Sequence, residues 1–316
     1  MNHEQTDLEY RRIVTHNTEE HAAAWRGWHI MCDQVSDGRF QGMITDIRLP
    51  GMQLVRDRSN QALVKRGRGT DGTISFSMPA TIDTNNFYCN GHISESGRML
   101  IVPSAGLPEL QTPSNLDLLC FSVEKSLFQK TIDKQLIPFD VDARLELPML
   151  AELPHDSDLS ACLMAVLSSD VAVPLLQHSR VQDGIKDTLL QHVVDVIDTD
   201  DNYLITPLAK KRMVDRAREY VMANLDTPPT ILELCNVVGA SRRKLQYCFQ
   251  ETFGMSPVTY LRIMRLNAAH RDLLNGHPLT SIQETAAKWG FLHFGRFSSE
   301  YRALFGELPS DTLKHA

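Results

Sequence analysis

Between residues 40 and 123 the apolar positions fall in short runs of β-formers, FQGMITDIRL, MQLVRDR, TISFSM, NFYCNGHI, RMLIVPS and LDLLCFSV. The pairs Pro50-Gly51, Asp71-Gly72, Asn90-Gly91 and Ser96-Gly97 punctuate them, and such pairs mark tight turns because glycine and asparagine tolerate a left-handed backbone. Six or more short strands in about eighty residues predict a small sandwich or barrel. Ahead of it, residues 19–32 read as helix, with Trp25, Trp28 and Met31 on one stripe. From about residue 156 the helical period returns in LSACLMAVLSS and VQDGIKDTLLQHVVDVI. In the second of these Ile185, Leu189, Val193 and Val196 or Ile197 share a side. That stripe over 180–197 fits a helix covering the barrel and fits a dimer interface equally. The polar run DTDDN at 198–202 is the expected linker. The division is therefore an N-terminal domain over 1–197, a linker over 198–207 and a helical domain over 208–316, an α+β chain.

The last hundred residues carry one pattern twice, ILELCNVVGASRRKLQYCFQETFGMSP over 231–257 and IQETAAKWGFLHFGRFSSEYRALFGELP over 282–309. Ile231, Cys235, Val238 and Gly239 recur as Ile282, Ala286, Trp289 and Gly290 at an offset of 51. Leu245, Phe249, Phe253 and Gly254 recur as Phe297, Tyr301, Phe305 and Gly306 at 52, so one residue has been added in the turn. Each copy reads helix, glycine turn, helix ending at Phe-Gly: a helix-turn-helix. Gly239 and Gly290 sit where a left-handed cap must end the first helix. Ser241 is placed to cap a helix over 242–252 whose buried stripe is Leu245, Phe249 and Phe253. On its other side Arg243, Gln246, Tyr247 and Gln250 fall at i, i+3, i+4 and i+7, one face of long hydrogen-bonding side chains suited to base edges in a major groove. A solvated helix face is also polar; the duplication favours the DNA reading. The neighbours Arg242 and Lys244 are expected at phosphate. In the second copy the same offset sets Phe294, Gly295, Ser298 and Ser299 opposite Arg242, Arg243, Gln246 and Tyr247. Only His293 and Arg296 are then read as having reach, both toward phosphate, and Phe294 as at most packing on a thymine methyl unless it is buried. The second unit is expected to discriminate less.

Gly239, Ser241, Leu245, Phe249, Gly254, Ser256 and Pro257, followed by Tyr260, Arg265, Leu266 and Ala268, resemble the first half of the DNA-binding domain of the AraC/XylS family. Gly290, Phe291, Phe297, Tyr301, Phe305, Gly306 and Pro309 resemble its second half. The resemblance spans 210–313. It implies two helix-turn-helix units joined by a long helix over about 257–274, so that both recognition helices enter successive major grooves on one side of a duplex. It also implies an N-terminal cupin-like barrel with helices that bind an effector or dimerise; no N-terminal motif carries effector-binding residues across. Two positions depart from the pattern: Leu308-Pro309 stands where Ser-Pro is usual, and Ser299 where a basic residue is common. The second weakens any reading of what that helix contacts.

Charge sharpens this picture. The net charge of −7 looks wrong for a DNA binder until it is divided. Residues 208–316 hold 15 Lys and Arg against 10 Asp and Glu, while the rest holds 17 against 29. A basic tail behind an acidic front points to nucleic acid at one end only. The six cysteines, Cys32, Cys89, Cys120, Cys162, Cys235 and Cys248, show no paired spacing and read as reduced core residues. The polar start MNHEQTDLEYRR is no signal peptide, and no apolar run approaches the ~20 residues of a membrane span. A cytoplasmic location is expected.

Other motifs add little. Gly67, Gly69 and Gly72 match GxGxxG, but a strand follows them where a dinucleotide site needs a helix, so they read as a hairpin loop. His92, His178 and His192 lack metal-ligand spacing. Cys89 lies near His92 in FYCNGHI, which does not resemble the Pro-Cys-His-Arg of a DNA-repair methyl acceptor, the remote alternative. The expectation is a sequence-specific transcription regulator, not an enzyme, with no cofactor and no metal. Its partners are double-stranded DNA and a second copy of itself; a small-molecule effector and RNA polymerase are candidates, and a membrane is not. The alternative is a constitutive regulator whose barrel only dimerises.

Overall fold

The computed structural model describes residues 8–80, 87–94, 97–103, 106–135, 141–144, 146–154, 157–168, 172–197, 203–224, 229–276 and 281–314. The elements run β1 Glu9–Thr15, α1 Thr18–Ala24, β2 His29–Gln34, β3 Gly42–Leu49, β4 Met52–Ser59, β5 Leu63–Arg68, β6 Thr73–Pro79, β7 Phe87–Cys89, β8 His92–Ser94, β9 Arg98–Pro103, β10 Leu107–Thr112 and β11 Leu116–Glu124. After these come α2 Lys125–Lys134, α3 Val141–Arg144, β12 Met149–Glu152, α4 Leu159–Ser168, α5 Ala172–Leu175, α6 Ser179–Ile197 and β13 Tyr203–Leu204. Helices fill the remainder: α7 Ala209–Ala223, α8 Ile231–Val238, α9 Arg242–Phe253, α10 Pro257–Leu274, α11 Ile282–Lys288, α12 Phe294–Phe305 and α13 Pro309–Lys314. The chain forms two compact units, one of Met1–Cys32 with Gln41–Thr206, the other of Pro207–Ala316 with Asp33–Phe40. The linker expected at 198–202 lies outside the described residues.

The first unit is built from an eight-stranded antiparallel sheet, ordered β1-β3-β4-β11-β6-β9-β12-β13, and a five-stranded one, β2-β5-β10-β7-β8. Turn chemistry sets the registers: β3 and β4 close over Pro50-Gly51 with Leu49 opposite Met52, and Asn90-Gly91, both at positive φ, close β7 on β8. Ile47, Leu54, Phe76, Leu119 and Phe121 are fully buried in one core, with the Phe76 and Phe121 rings stacked at 4.8 Å. The same core takes in Leu189, Leu190, Val193, Val194 and Val196, so the apolar stripe of α6 is spent covering the sheet.

Two expectations need correction. The helix expected over 19–32 stops at Ala24, and His29 already begins β2. Between them Gly27 turns the chain at φ +79°, and Trp25 and Trp28 pack edge to face at 4.9 Å in the interior. In β2 Cys32 points inward and Met31 is exposed, a period of two that overrides the apparent helical stripe. Strands β1, β5, β10, β12 and β13 were not read from the pattern. In β5 and β10 the buried positions include Lys65 and Glu109, whose charges hide the alternation. The GxGxxG match is not the hairpin loop expected: β5 and β6 lie in different sheets, so the glycines carry the chain from one sheet to the other; a Cβ on Gly67 would stand 2.0 Å from the His29 carbonyl oxygen, so β2 and β5 approach closely there.

In the second unit each repeat has its own core. Val214, Leu234, Val238, Leu245, Phe249 and Tyr260 fill the first, and Leu273, Ala286, Phe297, Tyr301 and Phe305 the second. Helix α10 contributes to both, with the bounds the resemblance implied.

Candidate nucleic-acid interface

The two turns are the same structure. After α8 the amides of Gly239 and Ala240 donate to the Asn236 and Cys235 carbonyls; after α11 those of Gly290 and Phe291 donate to Ala287 and Ala286. Both glycines are left-handed, at φ 68° and 73°, the closure that gives orphan helix carbonyls their partners. The chain then needs one residue, Ser241, to cap α9, but two, Leu292 and His293, to enter α12. Leu292 is therefore the added residue, and it is 83% exposed.

Helix α9 starts on Ser241, whose Oγ accepts from the Lys244 amide at 3.2 Å. Leu245, Cys248, Phe249 and Thr252 are buried, whereas Phe253, expected in the stripe, is half-buried and stacks on Tyr260 at 3.9 Å. Arg242, Arg243, Lys244, Gln246, Tyr247 and Gln250 are all exposed. The Lys244 ammonium lies 5.5 Å from the centre of the Tyr247 ring.

Helix α12 presents a different surface. His293, Phe294, Gly295, Arg296 and Ser299 are exposed and Ser298 is half-buried. Phe294 is 42% exposed, so it is not spent in the core. The Ser299 hydroxyl donates back to the Arg296 carbonyl at 2.9 Å. Arg296 donates through Nε to Glu300 at 2.8 Å, and the same carboxylate receives Arg262 of α10 at 3.1 Å. Arg302 was missed from the sequence; it is exposed and stands opposite Gln250 at the offset of 52, which was the signal available.

A family model described as a helix-turn-helix domain matches residues 234–315. The probable thc operon regulatory protein of Rhodococcus erythropolis is 40% identical over 103 residues, 32% of this chain and 31% of that protein. The XylDLEGF operon transcriptional activator 2 of Pseudomonas putida is 37% identical over 102 residues, 31% of this chain and 64% of that protein. Among solved structures, a probable AraC family transcriptional regulator from Rhodopseudomonas palustris shares 37% identity over 33% of this chain and 97% of that one, with a TM-score of 0.32. The C-terminal third belongs to the AraC/XylS family. The match covers less than two thirds of either curated relative.

Within this AraC/XylS-type unit the electrostatics favour an anion. The first turn of α9 holds Arg242, Arg243 and Lys244 and no acidic residue. Three cations at the positive end of a helix dipole work against the helix by a few tenths of a kcal/mol each or more, a local cost of the kind found where function overrides stability. The scaffold beneath is tightly bonded. Arg216 of α7 donates to the Val238 carbonyl at 3.2 Å, and His270 Nδ1 lies 2.5 Å from the Tyr301 hydroxyl, which lies 2.8 Å from Thr312. Burial pushes His270 down to about 3, helped by Arg271, and burial raises Tyr301.

In the first unit a cavity of about 50 Å³ is lined by Trp25, Trp28, Asp57, Lys65, Leu118 and Cys120, among others. Asp57 is fully buried and pairs with His21 at 2.9 Å and with Lys65. Burial alone would raise its carboxyl; the Lys65 and His21 charges hold it well below the usual range. Burial pushes the Cys120 thiol up to about 12. Cys89, weighed above as a nucleophile, is fully buried in β7. Among the described residues no His, Cys, Asp or Glu group is arranged to hold a metal, and no helix is long and apolar enough to cross a membrane.

Proposed function

We propose that the protein is a sequence-specific DNA-binding regulator of transcription that grips duplex DNA with α9 and α12. One observation carries this reading: the duplicated motif presents both second helices with their polar faces exposed, and the first of them opens on three adjacent cations. Arg242 and Lys244 meet phosphates, while Arg243, Gln246, Tyr247 and Gln250 read base edges. On α12, Arg302 and His293 supply reach, Arg296 is shared with Glu300, and Phe294 with Leu292 offers apolar contact to thymine methyls. The first unit holds the protein as a homodimer, which raises the effective concentration of the second DNA-binding unit at paired half-sites.

The constitutive alternative has a specific observation in its favour. A cavity of about 50 Å³ between the sheets is far below the ~300 Å³ or more of ordinary ligand pockets, and its walls are already filled by two tryptophans and by Asp57 and Lys65, which pair with each other. DNA binding then needs no added small molecule. One experiment addresses both readings: titrate the purified full-length protein, with nothing added, onto duplex DNA across a salt series. Affinity should fall steeply with salt, with a log–log slope of about −0.9 per phosphate contact. The titration is then repeated with a metabolite panel: a folded protein with no affinity at low salt in either condition would remove the DNA-binding reading, and binding that appears only with an added metabolite would remove the constitutive one.

A further inference from the structure

The compact unit that carries the two helix-turn-helix motifs includes a segment from the first forty residues, Asp33–Phe40. Its contacts are built rather than incidental. Gln34 is fully buried, and its Nε2 donates to the Ser36 and Gly38 carbonyls at 2.8 and 2.6 Å, folding the segment on itself. The same amide reaches the Leu304 carbonyl of α12 at 2.5 Å. The Gln34 main chain is held from the other side by Asn267 of α10: the Gln34 N–H donates to Oδ1 at 2.8 Å and Asn267 Nδ2 donates to the Gln34 carbonyl at 2.9 Å. That side-chain amide imitates a neighbouring strand. Asp33, almost wholly buried, receives Arg271 Nη1 at 2.7 Å. The Gly38 amide donates to the Ala303 and Leu304 carbonyls at 3.0 and 3.1 Å. These carbonyls lie in the last turn of α12, where a helix has no partners of its own.

The duplication supplies an internal control. Gly254 and Gly306 end α9 and α12 in the same left-handed conformation, at φ 67° and 70°, with the same amide bond back to residue i−4. A Cβ on Gly254 would meet nothing within 4 Å, whereas one on Gly306 would stand 2.6 Å from the Arg39 amide nitrogen. The segment thus touches the linking helix and the exit of the second recognition helix, and the equivalent place in the first copy is open.

We propose that Asp33–Phe40 is a positioning strap for the second recognition helix, so that recognition by α12, but not by α9, depends on a piece of chain from outside the C-terminal third. The role in recognition rests on the DNA-binding reading above; the mechanical role does not. The strap is flanked directly by Cys32 and Gln41 of the first unit, so a change there that releases it loosens one reading head and spares the other. In this way the N-terminal unit adjusts which half-site is held without altering the grip of α9.

The test uses the full-length protein. Hydrogen exchange without DNA is followed over 294–305 and 242–253 in wild type and in Gln34→Ala. Loss of the strap should speed exchange in α12 about tenfold, as expected when buried bonds of this kind are removed, and leave α9 unchanged. Footprinting on a bound duplex should then lose protection at the half-site under α12 at protein concentrations that still protect the other. Asp33→Asn, which keeps the shape and weakens the Arg271 pair, serves if Gln34→Ala fails to fold, with a smaller effect of the same selectivity. Equal changes in both helices, no change in either, or stronger protection at the α12 half-site would overturn the proposal. Selective exchange in a protein that binds no DNA would preserve the strap and remove the DNA reading.

Discussion

At the scale of single residues, the proposed DNA-binding role assigns different work to α9 and α12 according to the reach of their exposed side chains. Gln246 lies at the centre of the exposed face of α9, and Lys244 sits in its first turn. Gln246→Ala should relax preference at one or two base pairs by ~1 to 3 kcal/mol. Lys244→Ala should weaken all sequences evenly and lower the salt slope by about 1. Titrating both variants onto preferred and random duplexes separates the roles; equal losses from both changes on both duplexes would contradict the division. A second residue-scale effect concerns pH. His270 is buried against Phe305 and Tyr301 and titrates near 3 rather than its ordinary 6.5. The unfolded chain therefore takes up this proton first as pH falls. Stability is complete above about 6.5 and declines as pH drops toward 3, by at most about 1.4 kcal/mol per unit from this group. Thermal unfolding between pH 7 and 5 should show a steeper loss in wild type than in His270→Gln, and identical slopes would show that another group governs the acid sensitivity.

Among the elements, those defined by local chemistry were legible and those defined by distant partners were not. The helices from α8 to α12 announce themselves through caps and glycines: Ser241, Ser256 and Ser281 each accept an amide three residues on. The exposed face of α9, with Arg243, Gln246, Tyr247 and Gln250, follows from its period alone. By contrast β5 conceals a buried Lys65 whose partner Asp57 lies in β4, and the strand β2 looked helical because two tryptophans and a methionine happen to share that spacing. Asp33–Phe40 carries no motif at all, since its partners Asn267, Arg271 and Leu304 are more than two hundred residues away. Arg302 could have been read from the offset of the repeat. The strap also separates two substitutions that are alike in sequence. Gly254→Ala meets only the left-handed backbone, about 1 to 2 kcal/mol, whereas Gly306→Ala must also displace the Arg39 backbone. Denaturant unfolding should place Gly306→Ala clearly below Gly254→Ala, and equal stabilities would argue that Arg39 moves aside freely.

Taken whole, the molecule concentrates positive charge in its last hundred residues and carries net negative charge elsewhere. That asymmetry leaves one end suited to a polyanion and the other repelled by it. The AraC/XylS-type unit presents two second helices of unequal chemistry, long exposed side chains on α9 and short or apolar ones on most of α12. Selection of binding sites from a random duplex library by the full-length protein tests this account most directly. For each copy in the proposed dimer it should return two half-sites about 10 base pairs apart, one of high sequence information under α9 and one tolerant or chosen by DNA shape under α12. A library with no enriched sequence, or two half-sites of equal sharpness, would contradict it.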